Sequence, residues 1–552
     1  MTIRKLVYGD EARKQLFNGL KATAEMVAST AGAAGRNVFI QQQWGGTKAT
    51  KDGVTVAKSI QLPKKKDKSA KLLIEASEKT GNDAGDGTTL TAIIAQSISE
   101  KGMKLIDDGC NVTLLKKGID KAIEDTVSML KNRSKEITSK SEIEQVARIS
   151  ANNDTEIGEL IADAIEKVGK KGVVTVEKAN GLKTEVEMSE GMELDQGLIS
   201  PYFITNLDKS TTEFDDALLF LYDGKINSLK QILPLLEQVS SMGKPLVFIV
   251  DDVEEAALGA LIANHLKGTL HCCVIKAPSF GDMRKDIMED IAVLTGGQFV
   301  STVLGKDLEN LTEEVLGSCK HIKVSQTKTT IVGGNGEKSA IEERAKHLEQ
   351  QIAETESSYD KEKYQERLAK LTSGCAIIKV GAATEVELNE KKDRVDDAIC
   401  ATKAALEEGI LPGGGIMLLK AKEILNNQVF KDSLDIDDYS NMPEDFKKGY
   451  NLVLDALPAQ FETIVKNAGC EVNAVKEKVY EDGRETYGYN VLTGEYGDMY
   501  EMGIVDATKV IRCGIQNGAS VAGTLLTTEG LILDDVDEIM KMNQLAKSFQ
   551  AQ

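Results

Sequence analysis

The chain has 552 residues, of which 41% are apolar and 28% charged, the make-up of a folded protein rather than a disordered one. At roughly 100–200 residues per domain it should hold three or four domains. Lys and Arg total 67 against 87 Asp and Glu, a net charge of −20, which argues against nucleic-acid binding and against attachment to an anionic membrane. No run approaches about 18 consecutive apolar residues, and the first ten residues lack the apolar segment of an export signal, so a cytoplasmic protein is expected. The eight cysteines form no C-x-x-C pair and there are only four histidines, so no zinc site is expected. The thiols are expected to be reduced and packed as small hydrophobes.

In chain order, residues 10–30 read as a helix, with Leu16, Leu20, Ala24 and Val27 at helical spacing. Asn37–Ile40 reads as a strand and Gly45-Gly46 as a turn. Helical patterns follow at 65–81, 88–107 and 113–133, and 134–190 mixes helix and strand. From 191 to 374 strand-like runs (218–222, 246–250, 272–275) alternate with helical ones (229–241, 253–267, 284–294), which predicts a βαβ-type sheet. Residues 338–371 carry dense charge at helical period and read as two solvated helices. After 375 helices dominate again. Residues 425–448 read as an acidic surface insertion, and the end from 538 as a frayed tail. Gly191 and Gly374 flank the central block, and are read either as hinges where an inserted domain leaves and rejoins an outer one, or as plain turns.

Four glycine-rich stretches carry candidate chemistry. Gly85-Asp86-Gly87-Thr88-Thr89 opens the 88–107 helix. Its glycines allow close approach of a ligand, its amides and hydroxyls can hold phosphate oxygens, and Asp86 is a hard oxygen ligand of the kind Mg²⁺ takes beside phosphates. A capped helix start would look the same. Thr30-Ala31-Gly32-Ala33-Ala34-Gly35 joins a helix to a strand and lacks the Gly-Lys-Ser/Thr end of a Walker A loop. Lys51-Asp52-Gly53 could bring a cation and a carboxylate to one phosphate. Gly413-Gly414-Gly415 follows a helix that carries Asp397, and suits contact with a flat ligand, while Asp397 could orient an attacking water. Leu198, Tyr202, Phe203, Leu233, Leu236, Leu258 and Ile262 are apolar positions of the central block. They read as core by default, or as a groove for non-native chains if they are exposed.

Taken together, the sequence resembles the group I (bacterial-type) chaperonins, the GroEL family, over about residues 3–535. The resemblance is carried by Gly35-Arg36-Asn37-Val38, Thr50-Lys51-Asp52-Gly53-Val54, Ala84–Thr89, Ile149-Ser150-Ala151-Asn152, Ser200-Pro201-Tyr202-Phe203 and Lys276-Ala277-Pro278 with Phe280-Gly281-Asp282. Val380–Glu385, Gly413-Gly414-Gly415, Tyr487-Gly488-Tyr489-Asn490, Met502-Gly503-Ile504 and Asp506 complete it. It implies a multidomain α/β fold with three domains. These are a mostly helical equatorial ATP-binding domain (1–133 and 408–552), a small α/β intermediate domain (134–190 and 375–407) and an inserted α/β apical domain (191–374), hinged at Gly191, Gly374 and Gly409.

The resemblance further implies a homo-oligomeric, seven-membered ring, one or two rings deep, with or without a co-chaperonin lid, acting on non-native polypeptides. ATP and Mg²⁺ are implied as cofactors, with K⁺ usual in the family. Thr30, Ala31, Gly32, Ala33, Lys51, Gly87, Thr88 and Thr89 would meet the phosphates and Asp86 the metal. Asp52 and Asp397 would be the catalytic pair, acting around the attacking water. Gly414, Asn490, Val491 and Asp506 would hold adenine and ribose.

The sequence departs from the family in several places. The first loop lacks the usual Pro-Lys at Ala33-Ala34. Leu90 replaces a Thr, and Val491 and Leu492 replace two Ala. Leu198 replaces a Tyr, Ala263 a Val and Gln196 an Arg. Glu462 stands where the ring–ring contact commonly has Arg, opposite Glu471, which predicts a weak double ring or a working single ring. The intact Asp52, Asp86 and Asp397 favour an ATP-driven foldase. The altered loops favour a second reading, a divergent paralogue that holds polypeptides or scaffolds a partner without hydrolysis.

Overall fold

The computed structural model describes residues 4–41, 47–60, 62, 64–151, 154–169, 172–179, 181–206, 210–301, 308, 311–355, 357–372, 374–427 and 442–534. The Gly45-Gly46 turn, Asn152, most of the 425–448 insertion and the tail from 538 fall outside them. The chain forms two compact units, one of residues 1–158 with 400–552 and one of 159–399. Among the described residues no helix is long and apolar enough to cross a membrane.

The first unit begins with β1 (Arg4–Tyr8), α1 (Gly9–Ala28), the hairpin β2 (Val38–Gln41) and β3 (Thr47–Thr50), and α2 (Gly53–Ser59). Then come α3 (Lys64–Ala84), α4 (Thr88–Asp107), α5 (Val112–Arg133), α6 (Lys140–Ser150) and α7 (Thr155–Val168), whose last part enters the second unit. The apolar stripe of α1 behaves as its spacing predicts: Leu20, Ala24 and Val27 are buried. The helix stops at Ala28, two residues before its expected end, and this leaves Thr30 in the loop.

The second unit holds β4 (Val173–Lys178), β5 (Glu185–Ser189), β6 (Gly191–Leu194), β7 (Thr212–Ile226), α8 (Leu233–Met242), β8 (Leu246–Val253), α9 (Glu255–Lys267), β9 (Cys272–Lys276), α10 (Gly281–Thr295), β10 (Phe299–Ser301), β11 (Gly317–Val324), β12 (Thr329–Gly334), α11 (Lys338–Glu354), α12 (Ser358–Thr372) and β13 (Cys375–Val380). The long helix α13 (Glu385–Glu408) leads back to the first unit. The main sheet runs β6-β12-β11-β7-β8-β9, with β10 also on β7. It corrects the βαβ expectation in part: β7, β8, β9 and β10 are parallel, but β11, β12 and β6 are added antiparallel. The expected helix at 229–241 divides into a 3₁₀ turn, Leu229–Ile232, and α8, with Pro234 in the first turn of α8, where a missing amide costs least. A second sheet, β4-β13-β5, stands on either side of Gly191 and Gly374 in sequence.

The chain then completes the first unit with β14 (Ile410–Pro412), α14 (Ile416–Asn426), α15 (Glu444–Ala456), α16 (Ala459–Asn467), α17 (Val472–Asp482), the hairpin β15 (Tyr487–Asn490) and β16 (Glu495–Asp498), β17 (Val505–Ala507), α18 (Thr508–Leu526) and β18 (Gly530–Asp534). Its core is Leu20, Leu73, Ile94, Ile98, Leu115, Ile119, Met129 and Tyr450, all essentially inaccessible. β18 pairs antiparallel with β1, Arg4 opposite Asp534.

The cysteine expectation needs one correction. None of the eight forms a disulfide, but Cys400 is exposed and Cys470 half-buried rather than packed inside.

Candidate functional site

Four loops of the first unit come together at the start of α4. Gly87 caps this helix from the left-handed region (φ +90°), and its amide donates to Asp86 Oδ1. The Lys51-Asp52-Gly53 turn lies against the same helix start. A β-carbon on Gly53 would stand 2.4 Å from Thr89 Oγ1 and 3.1 Å from Thr88 Oγ1, so only glycine lets the two loops meet. Asp52 caps α2, accepting from the amides of Val54 (3.1 Å) and Thr55 (2.8 Å), which fixes its carboxylate. Among the described residues Lys51, exposed beside it, makes no ion pair.

Asp86 keeps access to water although protein crowds its carboxylate. Desolvation raises its pKa, the Gly87 amide works against the rise, and the charge of Asp52 adds to it. Asp506 on β17 shares the same field. Its pKa is pushed up to about 7, by desolvation first and the charge of Asp86 second, while the amides of Gly414 and Gly415 oppose the shift. Those amides face the carboxylate. Its Oδ2 is buried without a hydrogen-bond partner. A buried acceptor left unmatched is a place for a ligand hydroxyl or amine.

Thr30 is buried, and its hydroxyl already donates to the Val27 carbonyl (2.7 Å), so its O–H is not available to a phosphate. The loop that follows is pinned by residues the sequence reading missed. Asn467 Nδ2 donates to the carbonyls of Ala28 (2.9 Å) and Ala31 (3.0 Å), and Ile464 packs on Gly32. Ala33 is exposed next to it. No spacing signal links residues more than 430 apart. Leu90 turns away from the loop into the core against Gly514, so this departure leaves the helix start itself unchanged. Asn490 closes the β15–β16 turn, accepting from the Leu492 amide (3.0 Å). Val491 packs with Tyr489 and Met499, and Met499 also faces Gly414. Asp397 lies on α13, in the second unit. Gly409 ends that helix with φ +80°, and its carbonyl accepts from Thr508. Among the described residues no three acidic, histidine or cysteine side chains converge tightly enough to hold a metal ion by themselves. A single carboxylate beside phosphate oxygens is the arrangement Mg²⁺ prefers.

The apolar candidates lie on the second unit. Parallel β7, β8 and β9 are joined through α8 and α9, and the usual right-handed crossover puts both helices on one face of the sheet. Leu235 and Val239 of α8 and Leu261 of α9 point into the core. Leu233 is exposed, and Leu236, Leu258 and Ile262 are half-buried on the outer rows. Leu198 is half-buried beside β9, and Tyr202 stands out at 66% exposure. Leu266, one turn beyond Ile262, is equally exposed and was missed. Phe203 corrects the expectation. It is fully buried, edge-on to His265 at 5.7 Å, and so supports the surface instead of forming it.

Gly191 opens β6, and Gly374 sits before β13 with φ +68°. Glu462 and Glu471 lie at the ends of the α16–α17 turn.

Residues 23–536 match the model of the TCP-1/cpn60 chaperonin family, nearly the whole chain, and the protein belongs to that family. The fold is shared with the chaperonin gp146 from bacteriophage EL 2 (Pseudomonas aeruginosa), solved in the presence of ATP-BeFx. One crystal form gives a TM-score of 0.68 at 24% identity and another 0.62 at 23%, each match covering 96% of this chain and 99% of that one.

Proposed function

We propose that this chaperonin is an ATP-driven foldase. It would capture non-native polypeptides on the apolar face of α8 and α9 and release them through ATP-dependent domain movement. The observation that carries the ATP half is the meeting of Lys51, Asp52 and Asp86 with the amides and hydroxyls at the start of α4, next to the unmatched Asp506 Oδ2. In this reading Gly32, Ala33, Lys51, Gly87, Thr88 and Thr89 bind the phosphates. Gly414, Asn490, Val491 and Asp506 bind ribose and adenine, Asp86 ligates Mg²⁺, and Asp52 and Asp397 position the attacking water. The magnesium would supply charge neutralisation on the phosphates. K⁺ is included as the family's usual companion ion.

Burial of client apolar surface supplies roughly 25 cal/mol per Å² with no sequence requirement, so capture is promiscuous, and release needs a state in which that surface is withdrawn. Equatorial (1–133 and 408–552), intermediate (134–190 and 375–407) and apical (191–374) domains, turning at Gly191, Gly374 and Gly409, would supply the movement in a cytoplasmic seven-membered ring. The ring is proposed as single or weakly doubled, and the lid as optional.

The deciding experiment is steady-state MgATP turnover by the purified chain, alongside Asp52→Ala and Asp397→Ala, with refolding of a denatured test protein in ATP and in a non-hydrolysed analogue. Turnover lost in both variants, and refolding that requires hydrolysis, support the foldase. Client binding without any turnover would overturn it in favour of the holdase or scaffold reading.

A further inference from the structure

We propose that Cys400 is a positioning residue for the loop Gly85-Asp86-Gly87, acting through its β-carbon and not through its sulfur. The proposal rests on the reading of that loop as the nucleotide-phosphate site.

Gly85 leaves the end of α3 with φ +76°, its amide still bonded to the Gly81 carbonyl at 2.8 Å. A β-carbon built there would stand 2.0 Å from Cys400 Cβ and 3.0 Å from Cys400 Cα. Loop and helix therefore touch with no atom to spare. Cys400 is nonetheless the exposed cysteine of the eight, so burial of its thiol does not account for its place. The helix turns beyond Cys400 are held in place by ion pairs and a hydrogen bond. Arg512 of α18 grips Glu408 through Nε at 2.9 Å and through Nη2, Lys509 pairs with Glu407, and Ser134 Oγ donates to the Glu408 carbonyl. A stretch of helix anchored at one end and pressed on Gly85 at the other fixes where the next two residues stand. Those residues are Asp86 and the α4 cap Gly87, so the contact sets the position of the carboxylate and of the helix-start amides.

The test uses the full-length chain and four variants: Cys400→Ala, Cys400→Gly, Gly85→Ala and the double variant Gly85→Ala/Cys400→Gly. Lys403→Gly, in the next turn of α13, measured against Lys403→Ala so that the lysine's own contacts cancel, is the control for the cost of a helix glycine. The readouts are the affinity for a fluorescent ATP analogue with Mg²⁺, kcat and KM for MgATP, and the melting temperature without nucleotide. Cys400→Ala keeps the touching carbon and should stay within about twofold of wild type, while Cys400→Gly should bind about tenfold more weakly although its fall in melting temperature from Cys400→Ala matches that of Lys403→Gly from Lys403→Ala. Gly85→Ala should bind worse still, and the double variant should recover part of that loss because the 2.0 Å clash is gone while the 3.0 Å approach to the Cys400 Cα and the φ strain remain. A fall in nucleotide affinity from Cys400→Ala to Cys400→Gly equal to that from Lys403→Ala to Lys403→Gly, or no recovery in the double variant, overturns the inference alone. A wild-type chain that binds no nucleotide overturns the site reading and this inference with it.

Discussion

Lys476 Nζ donates to Glu462 Oε1 at 2.7 Å across the α16–α17 turn. The carboxylate proposed to face a second ring is thus matched within its own chain, and Glu471 uses its own carboxylate to cap α17 through the Ala474 amide (2.7 Å). On the proposed ring arrangement, neither side chain would be left to attract a facing ring.

The first prediction follows from that pairing. Native mass spectrometry without nucleotide, with ADP and with ATP should find seven-subunit particles in at least one state, and Glu462→Arg should shift the balance toward fourteen. A stable fourteen-subunit particle in every state, unchanged by the substitution, would remove the argument from these two glutamates.

A second prediction concerns protons. In the nucleotide-free protein Asp506 holds its proton to about pH 7, because desolvation and Asp86 both disfavour its charged form. A ligand hydroxyl donating to Oδ2, with a cation neutralising Asp86, lowers that pKa, so binding of MgATP should release a fraction of a proton and tighten as pH rises from 6 to 8. Calorimetry in two buffers of different ionisation enthalpy measures the release. Asp506→Asn should abolish it and flatten the pH dependence, and a release unchanged in that variant would assign the proton elsewhere.

The client surface can be separated from its support. Leu233→Ser and Leu236→Ser alter an exposed and a half-buried side chain, and should weaken the suppression of aggregation of a denatured test protein with ATP turnover within about twofold. Phe203→Ala, by contrast, empties a fully buried site and should cost the second unit about 3–5 kcal/mol, read as a lower urea midpoint for its unfolding. Normal client binding in both leucine variants would move the capture surface off α8.

The hairpin α11–α12 is tied to α10 by a buried ion cluster. Asp290, 1% exposed, accepts from Arg344 Nε at 2.7 Å and Arg367 Nε at 2.8 Å, while Asp286 takes Arg367 Nη1 at 2.7 Å. Asp290→Ala removes the buried member of the cluster, while Arg367 keeps Asp286 and Arg344 keeps Glu289, and should cost about 1–3 kcal/mol. Limited proteolysis should then cut within 338–371 well before the rest of the unit. Equal protection in wild type and variant would show that apolar packing of Leu348 and Leu371 suffices.

What could be read from the sequence followed the range of the forces involved. Helices α1, α4 and α5 were legible because their apolar rows repeat every three to four residues, and α4 began at its predicted residue, Thr88. The short strands β11 and β12 were not, because their outer partners, β7 for β11 and β6 for β12, lie a hundred or more residues upstream. The same limit governs the site. Asp52, Asp86 and the Gly414 turn announce themselves through local motifs, whereas Asn467 and Cys400 are ordinary residues in ordinary helices until folding carries them to Ala31 and Gly85. The burial of Phe203 was hidden for a related reason, since an aromatic side chain reads alike on either face of a turn.

The pairing of β1 with β18 governs how this chain can be made. Strand β1 is made well before its partner: Asp534, opposite Arg4, emerges some five hundred residues later, roughly half a minute to two minutes at usual elongation speeds. Over that interval the helices of residues 4–133 lack α14 to α18, so Leu20, Ile94 and Leu115 have an incomplete core to enter. The intervening unit, complete by residue 399, can close while synthesis continues. A chaperonin built this way cannot close its first unit until its last described strand has been made.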